Sequence, residues 1–304
     1  MKYHESSIQG RFVRELIRQI RSDNLLGKKL KDGTFRKKMK ETEPDYRVPE
    51  GFRLTGIKLK NFYMEYLEAE EEGFEKVILQ LHGGGYVGTL TNIYRKFAEI
   101  YAKTGKAVSV LSIDYRVAPD NPYPAALEDA VTAYFWLKDK GFLDEQIILA
   151  GDSAGGGLAM ATCMYLRDHV GLRPAGVLTM SAWADLTASG QSYSENFEVD
   201  PVFGNTRDSI VFNSEYIGDE DPKNPYISPV FGDFSGFPPM LMQVGTEEML
   251  LSDTLTIAAK AKNQGVDVCL SVYEGMFHVF QMALKFIPES KKAWQEAAEF
   301  ISRL

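Results

Sequence analysis

Residues 146–160 constrain the fold more than any other stretch of the chain. Residues 146–150 form a short apolar run that is typical of a buried strand. The chain then reads Gly-Asp-Ser-Ala-Gly at 151–155, and after two more glycines it continues as Leu-Ala-Met at 158–160, a run typical of a helix. A strand that meets glycines and continues as a helix predicts a sharp turn that holds Ser153 in a strained, exposed position. This is the Gly-x-Ser-x-Gly nucleophile elbow in its strand–turn–helix context.

A glycine-rich turn with an incidental serine produces the same motif, so the motif alone leaves two interpretations open. Two distant stretches favour the elbow. Residues 81–86 read Leu-His-Gly-Gly-Gly-Tyr, and residues 275–278 read Gly-Met-Phe-His. The first stretch offers closely approachable backbone amides and the second offers an imidazole, and a serine nucleophile requires both.

Strand patterns and helix patterns alternate along most of the chain. Strands are predicted at 76–81, 107–113, 146–150, 175–180, 240–244 and 266–273, and helices at 8–26, 94–104, 124–140, 255–263 and 290–304. Residues 53–68 have the alternation of two strands near a sheet edge. Strands that alternate with helices predict an α/β fold with a mostly parallel central sheet flanked by helices, and we expect residues 1–304 to form a single domain.

Residues 184–238 break this alternation. The segment contains Asp-Pro, Asn-Pro and Ser-Pro pairs together with several aromatic residues. A long insertion between two core strands is usually functional. We therefore expect a small helical cap, formed by about residues 1–45 and 184–238, with a substrate pocket between the cap and the sheet. An elaborated surface loop is the alternative, and the aromatic content argues against it.

Composition excludes several classes of protein. The chain has 304 residues, of which 44% are hydrophobic, and this is typical of a globular protein with a large core. Its net charge of −8 argues against nucleic acid as the main partner. Residues 28–40 are rich in lysine and arginine. A solvated surface is a simpler interpretation of that stretch than a patch for a membrane or an acidic ligand.

The sequence lacks the features of a signal peptide, a membrane span and a metal site. Residues 1–5 lack the apolar core of a signal peptide, and no apolar run approaches the roughly 20 residues of a membrane span. Cys163 and Cys269 belong to no metal-ligand spacing, so we expect no metal site and two buried, reduced cysteines. A cytoplasmic protein is the resulting expectation.

A serine nucleophile needs a base, because an alcohol attacks an acyl carbon poorly at neutral pH. Histidine is the natural base, since its ordinary pKa lies near neutrality. Among the four histidines, His4 lies in the N-terminal tail, His82 precedes the triple glycine, and His169 ends the helix after the elbow. His278 follows a strand and a glycine in a loop, from which an imidazole reaches the end of another strand. The sequence therefore predicts His278 as the base.

An orienting acid is expected between Ser153 and His278, directly after a core strand. The predicted strand 240–244 ends at Gly245 and is followed by three carboxylates, which are Glu247, Glu248 and Asp253. Asp253 also fits a charge at the N-terminus of the helix predicted at 255–263. The residues alone do not separate the three.

Attack on an acyl carbon produces an oxyanion, which needs preorganised donors. The Ala154 amide, at the start of the elbow helix, is one candidate. Residues 83–85 supply others, because glycines let backbone amides approach a substrate closely. The alternatives for a triple glycine are a flexible turn and a phosphate cradle, and no Gly-Lys-Ser/Thr follows it as a cradle would require.

Four motifs of this chain occur together in a known family. They read His-Gly-Gly-Gly-Tyr at 82–86, Asp-Tyr-Arg-Val-Ala-Pro at 114–119 with Tyr-Pro-Ala-Ala-Leu-Glu-Asp at 123–129, Gly-Asp-Ser-Ala-Gly-Gly at 151–156, and Gly-Met-Phe-His at 275–278. In this combination the chain resembles the hormone-sensitive-lipase family of α/β hydrolases. The resemblance extends from about residue 76 to residue 304, and the first 70 residues match only in general character.

The resemblance implies a cap-covered serine carboxylesterase that hydrolyses short-chain acyl esters through an acyl-serine intermediate, without a cofactor. It implies an oxyanion hole built from the amides of Gly84, Gly85 and Ala154. Counting back from the Gly-x-x-His loop without gaps puts the triad acid on Glu248. Most members have aspartate there, followed by Pro-Leu, whereas this chain reads Glu-Met-Leu at 248–250.

Further implications concern structure and assembly. In the family, the positions of Asp114, Arg116 and Glu128 support the loop beneath the site. Members often form homodimers through an edge strand or the last helix, so a homodimer is among the expectations.

Two other functions share these features. An amide deacetylase uses the same triad and the same tetrahedral intermediate, so the sequence does not distinguish it from an esterase. A non-catalytic ligand-binding protein with a hydrolase fold has lost a triad member, whereas Ser153 and His278 are both present in this chain.

Overall fold

The computed structural model describes residues 1–20, 43–70, 75–104 and 108–304. Within these ranges nine strands form one sheet. The strands are β1 (Lys2–His4), β2 (Phe52–Lys58), β3 (Tyr63–Ala69), β4 (Lys76–Leu81), β5 (Val108–Asp114), β6 (Ile147–Asp152), β7 (Gly176–Met180), β8 (Met240–Gly245) and β9 (Val268–Tyr273). The α-helices of the described residues are α1 (Ile8–Ile20), α2 (Asn92–Ala102), α3 (Ala125–Asp139), α4 (Ser153–Tyr165), α5 (Ser192–Glu195), α6 (Leu251–Asn263) and α7 (Pro288–Arg303).

The sheet is mostly parallel, as the alternation of strands and helices predicts. Its order is β1-β9-β8-β7-β6-β4-β5-β3-β2, and among the described strands the antiparallel pairs are β2 with β3 and β3 with β5. Both lie at one edge, where the sequence places a pair of edge strands. The strand β6 occupies the centre of the order, between β4 and β7. The serine that follows β6 therefore emerges in the middle of the edge formed by the carboxyl ends of the parallel strands.

Both faces of the sheet are covered, and β6 shows how one sequence serves both. Its side chains alternate with the period of two that a strand imposes. Ile147 and Leu149 pack into a cluster with α3, α4 and α6, while Ile148 and Ala150 pack on the other face with α2 and α7. All four side chains are fully buried. Burial on both faces explains why the strand reads as a continuous apolar run.

The segment 184–238 is less regularly helical than the sequence analysis expects. It contains the single turn of helix α5 and a short 3₁₀ helix, Pro229–Phe231, and otherwise consists of turns and extended stretches. Proline lacks an amide donor and pushes the preceding residue away from helical geometry. The segment has five prolines, at 201, 222, 225, 229 and 238, and those at 222, 225 and 229 prevent a regular helix over that stretch.

The N-terminal expectations fall partly outside the described residues. The helix predicted at 8–26 is present as α1 over 8–20, and residues 21–26 lie outside the described ranges. The basic stretch 28–40 and residue 107 also lie outside them. Among the helices of the described residues, none combines the length and the apolar composition that a membrane span requires.

We predict that truncating the side chain of Leu149 destabilises the protein strongly. Leu149 is fully buried in the central strand, so Leu149→Ala removes apolar contacts and leaves a cavity. We expect the free energy of unfolding, measured by urea titration, to fall by about 2–5 kcal/mol. The control is Leu143→Ala, the same change at a side chain that is 60% exposed, with an expected loss below about 0.5 kcal/mol. Equal losses in the two variants would contradict a buried central position for β6.

Candidate active site

The turn between β6 and α4 holds Ser153 in an uncommon conformation. Its φ of 52° lies in the left-handed region, which a side chain with a Cβ disfavours. Small neighbours make the turn possible. A Cβ on Gly155 would overlap the carbonyl oxygens of Leu81 and His82, so only glycine lets α4 begin this close to the end of β4. The Trp183 amide also donates a hydrogen bond of 2.8 Å to the Ser153 carbonyl, which helps to hold the turn.

The structure brings Ser153, His278 and Glu248 together in one hydrogen-bonded chain. The distance from His278 Nε2 to Ser153 Oγ is 2.9 Å, and that from His278 Nδ1 to Glu248 Oε2 is 3.1 Å. A carboxylate only accepts hydrogen bonds, so Nδ1 carries the imidazole proton and Nε2 is left as the acceptor for the serine hydroxyl. This tautomer is the one that removes a proton from serine.

The three carboxylates that the sequence leaves unresolved have different surroundings. Glu248 is fully buried and is the one that contacts His278. Glu247 forms ion pairs with Arg14 and Arg18 of α1. Asp253 accepts hydrogen bonds of 2.9 Å from the amides of residues 184 and 185, and burial raises its pKa well above the ordinary range. Its position therefore fastens the segment that follows β7 rather than orienting His278.

The glycine loop after β4 lies beside Ser153. Gly84 and Gly85 have φ values of 106° and 63°, which glycine adopts without steric cost, and both line the same cavity as Ser153. The Gly83 amide already donates a hydrogen bond of 3.0 Å to Asp152 Oδ1. Neither the Gly84 nor the Gly85 amide donates to another described residue. The Ala154 amide belongs to the first turn of α4, where amides have no acceptor within the helix.

Asp152 is a site residue that the sequence analysis does not identify. Its carboxylate is buried and accepts hydrogen bonds from the Gly83 amide and, at 3.2 Å, from the Tyr94 hydroxyl. Burial raises the pKa of Asp152 to about 6, although the nearby His278 and these hydrogen bonds oppose the rise. The signal was its place inside the Gly-x-Ser-x-Gly motif, since a carboxylate in an apolar turn needs donors. Its contacts fix the glycine loop against the elbow.

The other histidines have partners elsewhere. His82 is buried, stacks on Tyr115 with ring centres 4.2 Å apart, and contacts the Gly83 carbonyl through Nδ1. His4 lies 3.0 Å from Glu296, and His169 lies 3.0 Å from the hydroxyl of Tyr226.

The residues assigned to structural support form two small networks. Asp114 accepts hydrogen bonds from the hydroxyl of Thr89 and the amide of Leu90. Arg116 pairs with Glu128 and more closely with the buried Asp129. The first network holds residues that follow the glycine loop in the chain, and the second holds the loop after β5 against α3.

A cavity of about 430 Å³ opens in front of Ser153. Its lining includes Ile17 from α1 and four residues of the 184–238 segment, which are Val202, Phe203, Ile210 and Val211. The ring centre of Phe203 lies 4.7 Å from that of His278. Within the described lining, the charged or titratable side chains besides tyrosine are Asp152 and His278. No group of three histidine, cysteine or carboxylate side chains in the described ranges has the arrangement of a metal site.

Known proteins are similar to this chain in sequence. The family model described as the alpha/beta hydrolase fold matches residues 78–282. An acetyl-hydrolase of Streptomyces hygroscopicus is 36% identical over 233 residues, which are 77% of each protein. An esterase of Acinetobacter venetianus is 32% identical over 249 residues, which are 82% of this chain and 81% of that protein.

A solved structure is similar to this protein over nearly the whole length of both chains. The crystal structure of an esterase from the bacterial hormone-sensitive lipase family superposes with a TM-score of 0.82, covers 98% of each chain and shares 32% sequence identity. A family model that spans most of the chain agrees with this full-length match. The chain belongs to the alpha/beta hydrolase fold family and is of the hormone-sensitive-lipase type.

Proposed function

We propose that this chain is a serine carboxylesterase that hydrolyses short-chain acyl esters through an acyl-serine intermediate. The observation that carries the proposal is the chain of hydrogen bonds from Ser153 through His278 to Glu248, at 2.9 and 3.1 Å. The similarity to proteins named esterase and acetyl-hydrolase supports ester hydrolysis as the reaction.

In the first half of the reaction, His278 Nε2 takes the proton of the Ser153 hydroxyl while Oγ attacks the acyl carbon. Glu248 holds the imidazole in the required tautomer and stabilises the imidazolium that forms. The tetrahedral intermediate then collapses, the bond to the alcohol oxygen breaks, and the imidazolium gives its proton to the leaving alcohol. In the second half, a water molecule loses a proton to His278 while its oxygen attacks the acyl carbon. The bond to Ser153 Oγ then breaks, the imidazolium returns the proton to that oxygen, and the acid leaves.

The amides of Gly84, Gly85 and Ala154 serve as the oxyanion hole in this proposal. Gly84 and Gly85 border the cavity in front of Ser153, and Ala154 directly follows Ser153 in the first turn of α4, which supports this role. Amides fixed before the reaction stabilise the developing negative charge without reorganising. Removing one such donor typically costs on the order of 100-fold or more in rate.

The cap consists of α1 and residues 184–238 in this proposal. Ile17, Val202, Phe203 and Ile210 contribute apolar wall, which supports the assignment. A cavity with so little charge favours neutral esters over substrates that carry charge near the reacting bond. The cytoplasmic location remains a proposal, supported by Cys163 and Cys269 both being free thiols.

We predict that the protein hydrolyses p-nitrophenyl esters of acetate and butyrate and that Ser153→Ala abolishes this turnover. The reason is that the variant lacks the attacking oxygen, so a loss of about 10⁴-fold or more is expected. Release of p-nitrophenol across an acyl series from acetyl to decanoyl measures both activity and chain-length preference. A parallel series of anilides tests amide hydrolysis.

Rates that rise beyond octanoyl would contradict a short-chain enzyme. Faster turnover of anilides than of esters would favour the amide deacetylase. No turnover of any ester would favour a binding protein.

We predict that Glu248→Gln lowers kcat by about 10³–10⁴-fold, because an amide no longer holds the imidazole in the catalytic tautomer. Glu247→Gln is the matched control, the same change one residue away. Its side chain is partly exposed and pairs with α1, so kcat should change by less than about fivefold. Steady-state kinetics on p-nitrophenyl butyrate compare the two. A larger loss in Glu247→Gln would transfer the orienting role to Glu247.

We predict that Asp152→Asn reduces the pH dependence of stability. The pKa of Asp152 rises from 3.8 to about 6 on folding, so the folded state binds this proton more tightly than the unfolded chain. That stabilisation is complete below about pH 4 and is lost as the pH rises through 6. The full difference corresponds to about 3 kcal/mol.

Thermal unfolding at pH 4.5 and pH 8 measures this effect. The melting temperature of the variant relative to wild type should be higher at pH 8 than at pH 4.5. The control, Asp120→Asn at an exposed position, should follow the wild type at both pH values. The same relative melting temperature of Asp152→Asn at both pH values would contradict the prediction.

A further inference from the structure

Ser181 occupies a junction that the proposed mechanism does not use. It directly follows β7, and its side chain is fully buried. Its φ of 49° lies in the left-handed region, which is uncommon for serine. The Ser181 amide donates a hydrogen bond of 2.7 Å to the carbonyl of Gln243 in β8, so the backbone after β7 is fixed against β8.

The hydroxyl of Ser181 joins the two loops that carry Glu248 and His278. It accepts a hydrogen bond of 3.0 Å from the amide of Val279, and it lies 2.8 Å from Glu248 Oε1. An amide only donates, so the serine oxygen is the acceptor toward Val279. The single hydroxyl proton is then available for the carboxylate. The polarity of the chain from Val279 through Ser181 to Glu248 is therefore fixed.

This contact determines which oxygen of Glu248 faces His278. Oε1 accepts from the Ser181 hydroxyl and, at 2.6 Å, from the Gly245 amide. Oε2 is left for His278 Nδ1. The contact with Gly245 lies within the loop of Glu248 itself, whereas the contact with Ser181 ties the carboxylate to a different strand. Two fixed donors on one oxygen prevent the carboxylate from rotating away from the imidazole.

The second contact acts on the residue after His278. Val279 has a φ of 48°, and a β-branched residue in the left-handed region is a strained outlier. Such a conformation persists where the surroundings hold it. The hydrogen bond from the Val279 amide to Ser181 is one such restraint, and it acts one residue away from the imidazole.

We propose that Ser181 is a positioning residue for the reaction. One buried hydroxyl sets the orientation of Glu248 and the backbone of the His278 loop at the same time. Ser181 does not touch the reacting atoms and acts through the other two residues. The inference rests on the proposed esterase function.

Kinetics of Ser181→Ala test the proposal. A hydrogen bond to a charged group is lost, so we expect kcat on p-nitrophenyl butyrate to fall by about 10- to 100-fold. KM should change by less than about threefold, because the cavity that binds the ester does not include Ser181. Ser181→Gly gives a second measurement, since glycine adopts a φ near 49° without strain but lacks the hydroxyl. It should show the same loss.

The matched control is Thr179→Val in β7, two residues before Ser181. Thr179 is fully buried, and its hydroxyl has no partner among the described residues. The change removes a buried hydroxyl from β7 without touching Glu248 or His278, and kcat should stay within about twofold of wild type. A loss in this control equal to that in Ser181→Ala would assign the effect to packing of the strand and overturn the inference.

A double-mutant cycle separates positioning from a general structural role. In a Glu248→Ala background the main target of the Ser181 hydroxyl is gone, so adding Ser181→Ala should lower kcat by less than about threefold. An undiminished loss there would overturn the inference. So would wild-type kcat in Ser181→Ala, or the absence of cooperative thermal unfolding in both Ser181 variants. Failure of the proposed function is a different result, in which the wild-type protein itself hydrolyses no ester.

Discussion

The close approach of α4 to the ends of β4 and β6 is the contact on which the site depends. Gly155 lies against the carbonyl oxygens of Leu81 and His82, where a side chain does not fit. This contact places the glycine loop and Ser153 side by side, although about 70 residues separate them in the sequence. Left-handed backbone at a non-glycine residue costs of order 1–3 kcal/mol, and the packed core of the sheet outweighs that cost. The serine is thus held by the fold and not by its own preference.

Much of this architecture is readable from local pattern. Strands buried on both faces read as apolar runs and the helices between them have apolar stripes, so the mostly parallel sheet and the two strands near its edge are predicted correctly. The short strand β1 and the antiparallel pairing of β2 and β3 are not predicted. The sequence also predicts Ser153 as the nucleophile and His278 as the base, because each of them follows a core strand. Helix and strand ends differ by a few residues, as at α6, which begins at Leu251 and not at 255.

What the sequence does not provide comes from contacts between distant loops. Glu247, Glu248 and Asp253 are close in the chain but have different partners in the fold. Glu247 pairs with α1, Glu248 contacts His278, and Asp253 binds the segment after β7. Asp152 lies inside the Gly-x-Ser-x-Gly motif and Ser181 follows a core strand, but neither position reveals which groups of distant loops form hydrogen bonds with the side chain. The segment 184–238 lacks both periodicities, so its turns were not predictable from a helix or strand pattern.

The ion pairs between α1 and Glu247 have a consequence for how the pocket responds to its surroundings. Arg18 is 37% exposed and Glu247 is 24% exposed, so dissolved ions reach this pair. Attraction between charges in contact with water weakens as ionic strength rises, with a screening length of about 8 Å at physiological ionic strength. Since α1 also supplies Ile17 to the cavity, these ion pairs link the position of one wall of the pocket to the ionic strength of the surrounding solution.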